Sequence, residues 1–226
     1  IIGITGTNGK TSTCQLINHI LNTCNVQCGS MGTLGFSTPS GMISTGFTTP
    51  ESVEVQQMLN TLRHGGINHA VMEISSHALE FHRVEDVDVD VAIYTHLSQD
   101  HLDYHKTMEN YFKAKQTLFS GLTSANAAVI NIDDEYAQRL IDITDASVIT
   151  YGLKDNADIY PISAELSLTG INAKFSLMGQ TIAISSSLLG QYNLYNILAA
   201  VSGIYALGHS PLTIARGVES FTNIPG

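Results

Sequence analysis

The 226-residue chain is 43% hydrophobic and only 13% charged, a balance that calls for a substantial buried core and excludes disorder. Its formal net charge of -10 argues against a nucleic-acid or membrane-surface protein, and no apolar run reaches spanning length. Cys14, Cys24 and Cys28 are irregularly spaced, which predicts reduced thiols of a cytoplasmic protein rather than disulfides or zinc ligands.

Ile1, Ile2 and Ile4 predict a buried strand, followed by GITGTNGKTS at 3–12 and a helix from Thr11 onward. The ending Gly9-Lys10-Thr11 is that of a phosphate-binding P-loop, yet the usual G-x-x-x-x-G-K-[ST] spacing asks for glycine where Ile4 stands. Strand, glycine-rich loop and helix are nonetheless the context the chemistry needs. Gly6, Thr7, Asn8, Gly9, Lys10, Thr11 and Ser12 can aim backbone N–H groups and a helix N-terminus at a polyphosphate. Lys10 would neutralise phosphate charge and the Thr11 hydroxyl would ligate Mg²⁺; the plain alternative is a glycine-rich turn with a surface lysine.

Leu16, Ile17, Ile20, Leu21 and Cys24 lie on one face at helical spacing. A short strand is predicted over 26–29, then a Gly/Ser/Thr/Pro-rich loop over 32–50 broken by a strand near 42–44. Thr49-Pro50-Glu51 predicts a helix start with Thr49 as cap, and Val55, Met58, Leu59 and Leu62 form that helix's buried face. Further strands are expected at 70–72, 89–94, 127–132 and 147–151, with a helix over 135–143. The alternation predicts an α/β fold, a doubly wound and mostly parallel sheet. From 158 to 187 the pattern changes to short strands with turns at Thr169-Gly170 and Met178-Gly179, a small antiparallel subdomain. Leu194, Ile197, Leu198, Val201 and Ile204 restore a helix that Gly208 ends. The start on a core strand and the closing turn signal Ile224-Pro225-Gly226 lead us to expect a piece of a longer polypeptide.

Candidate chemistry gathers after the strands. Glu73 follows one directly, positioned for a nucleotide-bound metal, with Ser75, Ser76, His77 and Arg83 close behind as either anion contacts or ordinary caps. The stretch from Thr95 to His105 holds three histidines and two aspartates; His101 is the one singled out for chemistry. In the next helix Met108, Tyr111, Phe112, Leu118 and Phe119 make an apolar stripe that includes Lys115, whereas Lys113 points away. Such a lysine either snorkels or is desolvated with a depressed pKa and a reactive amine.

These segments resemble the Mur ligase family, and within it the UDP-N-acetylmuramoyl-tripeptide synthetases. The resemblance runs through TGTNGKTS, FTTPESVEVQ (47–56), MEISSHALEFHR (72–83), HLSQDHLDYHKTMENYFKAK (96–115) and LLGQYNLYNILAA (188–200), in the family's order. It identifies the P-loop spacing as a known variant and implies that residues 1–226 are the central ATP-binding domain, without the N-terminal uridine-nucleotide domain and the C-terminal domain. It further implies that Lys10 binds phosphates, Thr11 and Glu73 one Mg²⁺, and His101 a second. Lys115 would be carbamylated to support the metal site, Thr48, Thr49, Ser75 and Arg83 would bind the muramoyl-peptide substrate, and Asn193 and Asn196 would lie near adenine. His96 and Phe81 depart from the Asn and Gln of many relatives. The implied activity is ATP-dependent amide ligation through an acyl phosphate, adding diaminopimelate or lysine to the UDP-N-acetylmuramoyl dipeptide. A monomeric cytoplasmic enzyme with no nucleic-acid or membrane partner is expected; the competing readings are a folylpolyglutamate synthase and a non-catalytic P-loop module.

Overall fold

A computed structural model describes residues 1–38 and 40–223; the closing turn signal at 224–226 lies outside them. The first strand, β1 (Ile2–Thr5), is buried along its whole length, as expected of a strand covered on both faces. It leads through the glycine-rich loop into α1 (Lys10–Thr23), then β2 (Cys28–Gly32), β3 (Gly35–Thr38) and β4 (Gly41–Ile43). Next come α2 (Ser52–His64), β5 (His69–Glu73), α3 (Ser76–Glu80), β6 (Val91–Tyr94), α4 (Leu102–His105) and α5 (Met108–Ser120). The chain continues through β7 (Ala127–Asn131), α6 (Ala137–Ile143), β8 (Ser147–Tyr151), β9 (Ile159–Ser167), β10 (Gly170–Leu177) and β11 (Gln180–Ser186), ending in α7 (Gly190–Ala206) and α8 (Pro211–Ser220).

All strands join one sheet in the order β11-β10-β9-β8-β7-β6-β1-β5-β2-β3-β4. The block from β8 to β2 is parallel, with β1 between β5 and β6. The antiparallel strands expected over 158–187 are present, but they extend this sheet: Ile159 pairs in parallel with Tyr151, and β9, β10 and β11 then fold back on one another. Helices cover both faces. On one, Ile17 and Ile20 of α1, Val201 and Ile204 of α7 and Ile214 of α8 pack on β1 and β6. On the other, Val55, Phe112, Phe119 and Leu140 cover Met72, Ala92 and Ile130. Each such side chain contributes roughly 1.5–3 kcal/mol by leaving water.

Three local expectations need correction. The strand expected at 26–29 begins at Cys28, because Val26 N still donates to Leu21 O at 3.0 Å in closing α1. The expected 32–50 loop holds two strands rather than one, with β3 laid antiparallel on β2 through Met31↔Phe36 and β4 on β3. Thr49 does not cap α2; its hydroxyl donates to Glu73 O at 2.9 Å, and Glu51 is the cap, its N–H donating to Glu54 Oε2 at 3.1 Å. The helix α8 had no sequence expectation, although Ser210, whose side chain accepts from Thr213 N, and Pro211 in its first turn mark its start.

Candidate active site

The chain runs from β1 through α1 to β2 on one flank, returns to lay β5 beside β1, and then crosses to the other flank with β6; such a switch point opens a crevice at the carboxyl ends of the strands. The glycine-rich loop crosses it. Gly6 has φ 140°, and a Cβ there would lie 1.9 Å from Thr95 Oγ1, so only glycine lets the loop pass this close to the end of β6. Thr7 N donates to His96 O at 2.7 Å and Thr95 Oγ1 to Asn8 O at 2.7 Å, strapping the loop down. Gly9, in the left-handed conformation, opens α1; no side chain caps this helix and its first turn holds no acid. Among the described residues no carboxylate bonds the first N–H groups, an arrangement suited to an anion.

Two lysines meet at one carbonyl. Lys10 Nζ donates to Gly6 O at 2.9 Å and to Thr7 O at 2.7 Å, while Lys115 Nζ donates to Gly6 O at 2.8 Å from the other side. Burial lowers the pKa of Lys10, with Glu73 and Asp100 opposing. Lys115 is 1% exposed and lies 4.5 Å from the centroid of the Tyr111 ring. Burial drives its pKa well below 10.5 and the nearby Lys10 charge adds to the effect, against a pull from Asp100. The apolar stripe is as expected, Lys113 is exposed, and Lys115 neither snorkels nor pairs with an acid among the described residues.

Glu73 is also 1% exposed. It accepts from Thr11 Oγ1 at 2.8 Å, Thr33 N at 2.8 Å and Thr33 Oγ1 at 3.1 Å, and no cationic side chain among the described residues pairs with it. A buried carboxylate beside a hydroxyl, at the mouth of an anion-binding loop, suits a hard divalent cation completed by phosphate oxygens and water. The described residues hold no cluster of three or more His, Cys, Asp or Glu able to ligate a metal by themselves. His101 stands at the rim, half exposed, with φ 52°, its Nε2 3.5 Å from Asp100 Oδ2 and its ring 5.2 Å from that of His77.

Thr48, Thr49, Ser75 and Arg83 gather on the β5 side. Thr48 Oγ1 lies 3.1 Å from Thr33 Oγ1, and Ser75 N donates to Thr49 Oγ1 at 3.1 Å. Arg83 Nη1 donates to Thr49 O at 3.2 Å, its Nη2 pairs with Glu51 at 2.5 Å, and its Nε is buried without a partner among the described residues. Ser75 Oγ also accepts from Ala78 N, so it caps α3 as well as facing the crevice. Phe81 is 53% exposed, with the Arg83 guanidinium 5.6 Å from its ring centroid.

On the β6 side a cleft of about 660 Å³ runs from Asn8, Gly9 and Ser12 past His96 to Asp133, Tyr192, Tyr195 and Asn196. Burial lowers the pKa of His96. Asn196 lines this cleft; Asn193 instead supports it, with Asn196 Nδ2 donating to Asn193 Oδ1 at 3.1 Å. Residues absent from the sequence reading complete the wall. Tyr195 OH donates to Asp133 Oδ2 at 2.9 Å and Asn131 Nδ2 to Thr95 O at 2.7 Å, while Asp134 accepts from Leu97 N and Tyr94 OH at 2.8 Å each. Asn131 ends β7 and Asp133 and Asp134 come directly after it, and that position was the available signal. His105 was likewise passed over: it is buried, its Nε2 2.9 Å from Ser76 Oγ and its Nδ1 3.3 Å from Glu80.

The Mur ligase middle domain family matches residues 4–203. A UDP-N-acetylmuramoyl-L-alanyl-D-glutamate–2,6-diaminopimelate ligase of Geobacter metallireducens is 41% identical over 100% of this chain and 45% of its own length. A ligase of the same name from Gloeobacter violaceus is 42% identical over 100% of the chain and 46% of its own length. A solved structure bearing that name superposes with a TM-score of 0.91 at 33% identity, covering 100% of this chain and 47% of the other. The chain thus spans just under half the length of the relatives it matches. A Mycobacterium tuberculosis folylpolyglutamate synthase, 17% identical with a TM-score of 0.79 over 98% of this chain and 58% of its own, shares the fold.

Proposed function

The chain belongs to the Mur ligase family, and from that premise we propose that it is the central ATP-binding domain of a ligase that adds the third amino acid to UDP-N-acetylmuramoyl-L-alanyl-D-glutamate. The amino acid of this reading is diaminopimelate, the one in the names of its relatives at about 40% identity. The observation that carries the proposal is the meeting of Lys10 and Lys115 on Gly6 O beside the buried Glu73–Thr11 pair. A nucleotide-binding module needs the first lysine and the carboxylate; a buried second amine with a depressed pKa is surplus to binding alone.

In this mechanism the phosphates of ATP lie on the loop from Gly6 to Ser12, with Lys10 unfolding from the Gly6 and Thr7 carbonyls onto phosphate oxygen. The base occupies the cleft near Asn196, backed by Asn193. Thr48, Thr49, Ser75 and Arg83 hold the muramoyl peptide so that its carboxylate faces the γ-phosphate. That carboxylate attacks phosphorus and ADP leaves. The incoming amine then adds to the acyl phosphate, loses a proton and expels phosphate, closing the amide. Thr11 and Glu73, with His101 at the rim, would hold Mg²⁺, which when bound screens the charge that develops during phosphoryl transfer. Lys115, its pKa lowered by burial, attacks CO₂ as the free amine to give a carbamate and one proton, placing a carboxylate-like group beside the same site. The reading includes a monomeric enzyme of the cytoplasm, where the three free cysteines stay reduced. None of the described helices is long and apolar enough to cross a membrane.

The test is ligation by the full-length polypeptide with muramoyl dipeptide labelled with oxygen-18 in its reacting carboxylate. Transfer of one label to the released phosphate, with diaminopimelate accepted over lysine, is the expected result. Unlabelled phosphate would rule out the acyl phosphate, and preference for lysine would overturn the choice of amino acid.

A further inference from the structure

The P-loop and the lysine helix α5 are joined by one side chain to which neither the motif nor the mechanism above gives a role. Tyr111 is 1% exposed. Its hydroxyl lies 3.2 Å from Thr7 Oγ1, and its ring carries the Lys115 amine. The Thr7 hydroxyl is bonded on its other sides as well. Ser98 N donates to Thr7 Oγ1 at 3.0 Å, and Thr7 Oγ1 donates its single proton to Ser98 O at 3.2 Å. The bond between the Tyr111 and Thr7 hydroxyls can run either way: Tyr111 O–H donates while Thr7 holds Ser98 O, and the Tyr111 oxygen accepts when the Thr7 proton turns to it. The ring itself is fixed from behind, at 5.0 Å and 32° from the ring of His105, which is tied to Ser76 and Glu80 on α3.

Thr7 sits inside the phosphate loop, where its carbonyl holds Lys10 and its N–H is bound to His96 O. We propose that Tyr111 is a positioning residue for nucleotide binding: its hydroxyl locks the Thr7 side chain, and with it the shape of the loop, to the helix that carries Lys115. The proposal rests on the P-loop reading above. It assigns Tyr111 no contact with ATP and no part in holding the muramoyl peptide. Losing the hydroxyl therefore weakens the nucleotide and leaves the other substrate alone.

The experiment uses the full-length polypeptide with Tyr111→Phe, Thr7→Val, the double variant and Lys10→Ala. A nonhydrolysable ATP analogue is titrated by calorimetry, and KM and kcat are measured for both ATP and muramoyl dipeptide. Tyr111→Phe is expected to weaken analogue binding about five- to tenfold, the scale of one hydrogen bond, and to raise KM for ATP by the same factor. KM for the dipeptide should stay within about twofold, and the double variant should bind no more weakly than Thr7→Val, because the two changes remove one shared interaction. Unchanged analogue binding in Tyr111→Phe, additive losses in the double variant, or a parallel rise of both KM values with a falling melting temperature would each overturn the proposal. Lys10→Ala separates the two levels: if it too binds normally, the P-loop reading is wrong, whereas its failure beside a normal Tyr111→Phe condemns only the role of Tyr111.

Discussion

The two ends of the crevice are built on different principles. At the phosphate end the ionisable groups are withdrawn from water and already bonded, with Lys115 and Glu73 buried and Lys10 half-buried: Lys10 and Lys115 bond to the Gly6 carbonyl, and Glu73 to Thr11 and Thr33. At the base end Tyr192 is 85% exposed and Asp133 and Tyr195 meet at the surface. The contrast teaches where binding energy is prepared in advance. A group held in a low-dielectric site interacts strongly with an anion and needs little reorganisation, whereas an open wall of aromatic and amide groups recognises a planar base through many weak contacts.

Mutations should break this contrast unequally. The largest effect is expected for Lys10→Ala, which removes charge-assisted bonds and should weaken nucleotide binding on the order of a hundredfold, read by calorimetry on the full-length polypeptide. A loss below about tenfold would mean that the phosphate end is not the anchor. Glu73→Gln comes next, costing roughly tenfold with Mg²⁺ present and much less in chelator, since only the metal-bound nucleotide needs the carboxylate. Equal losses in both buffers would remove the metal from this position. At the base end Tyr195→Phe deletes one exposed hydrogen bond and should cost no more than about threefold; a loss as large as that of Lys10→Ala would erase the distinction between the two ends.

A smaller effect appears in stability and depends on pH. Lys115 has its folded pKa depressed below 10.5 by burial, so the unfolded chain binds its proton more readily than the folded one. Stability from this group therefore rises with pH from the folded pKa up to 10.5 and is lost as pH falls. Lys115→Met removes the penalty. Its melting temperature should exceed that of the native protein at neutral pH, with the gain shrinking as pH approaches 10.5. A gain that grows with pH would show the amine to be stabilised as a cation.

The phosphate end was the more legible in the sequence, for a physical reason. Ligand chemistry confines the residues of a phosphate loop to a short stretch, so Gly9-Lys10-Thr11 carries its meaning locally, and Lys115 stood out because helical spacing placed it among Tyr111, Phe112 and Leu118. The base end is assembled from Asp133, Tyr151, Tyr192 and Asn196, residues from three separate segments, of which the first two and Tyr192 each read alone as a turn acid or an ordinary aromatic. Of the β3–β4 hairpin the strand near 42–44 was legible and β3 was not, because Gly35-Phe36-Ser37-Thr38 lies in a Gly/Ser/Thr-rich run with a single large apolar residue. Thr49 looked like a helix cap until the carbonyl of Glu73 claimed its hydroxyl, a contact across 24 residues that no local pattern encodes. Tyr111 was read as core, and its hydroxyl gained a partner only when folding brought Thr7 beside it.

The reading stands or falls on whether the buried Lys115 at the phosphate end is carbamylated and serves the reaction. Ligase activity of full-length Lys115→Ala, measured with and without a small added carboxylic acid, tests it most directly. The account predicts loss of at least about a hundredfold in kcat, on the scale of a lost electrostatic contribution, and partial recovery on adding the acid, which stands in for the carbamate. Full activity of Lys115→Ala without any added acid would contradict it.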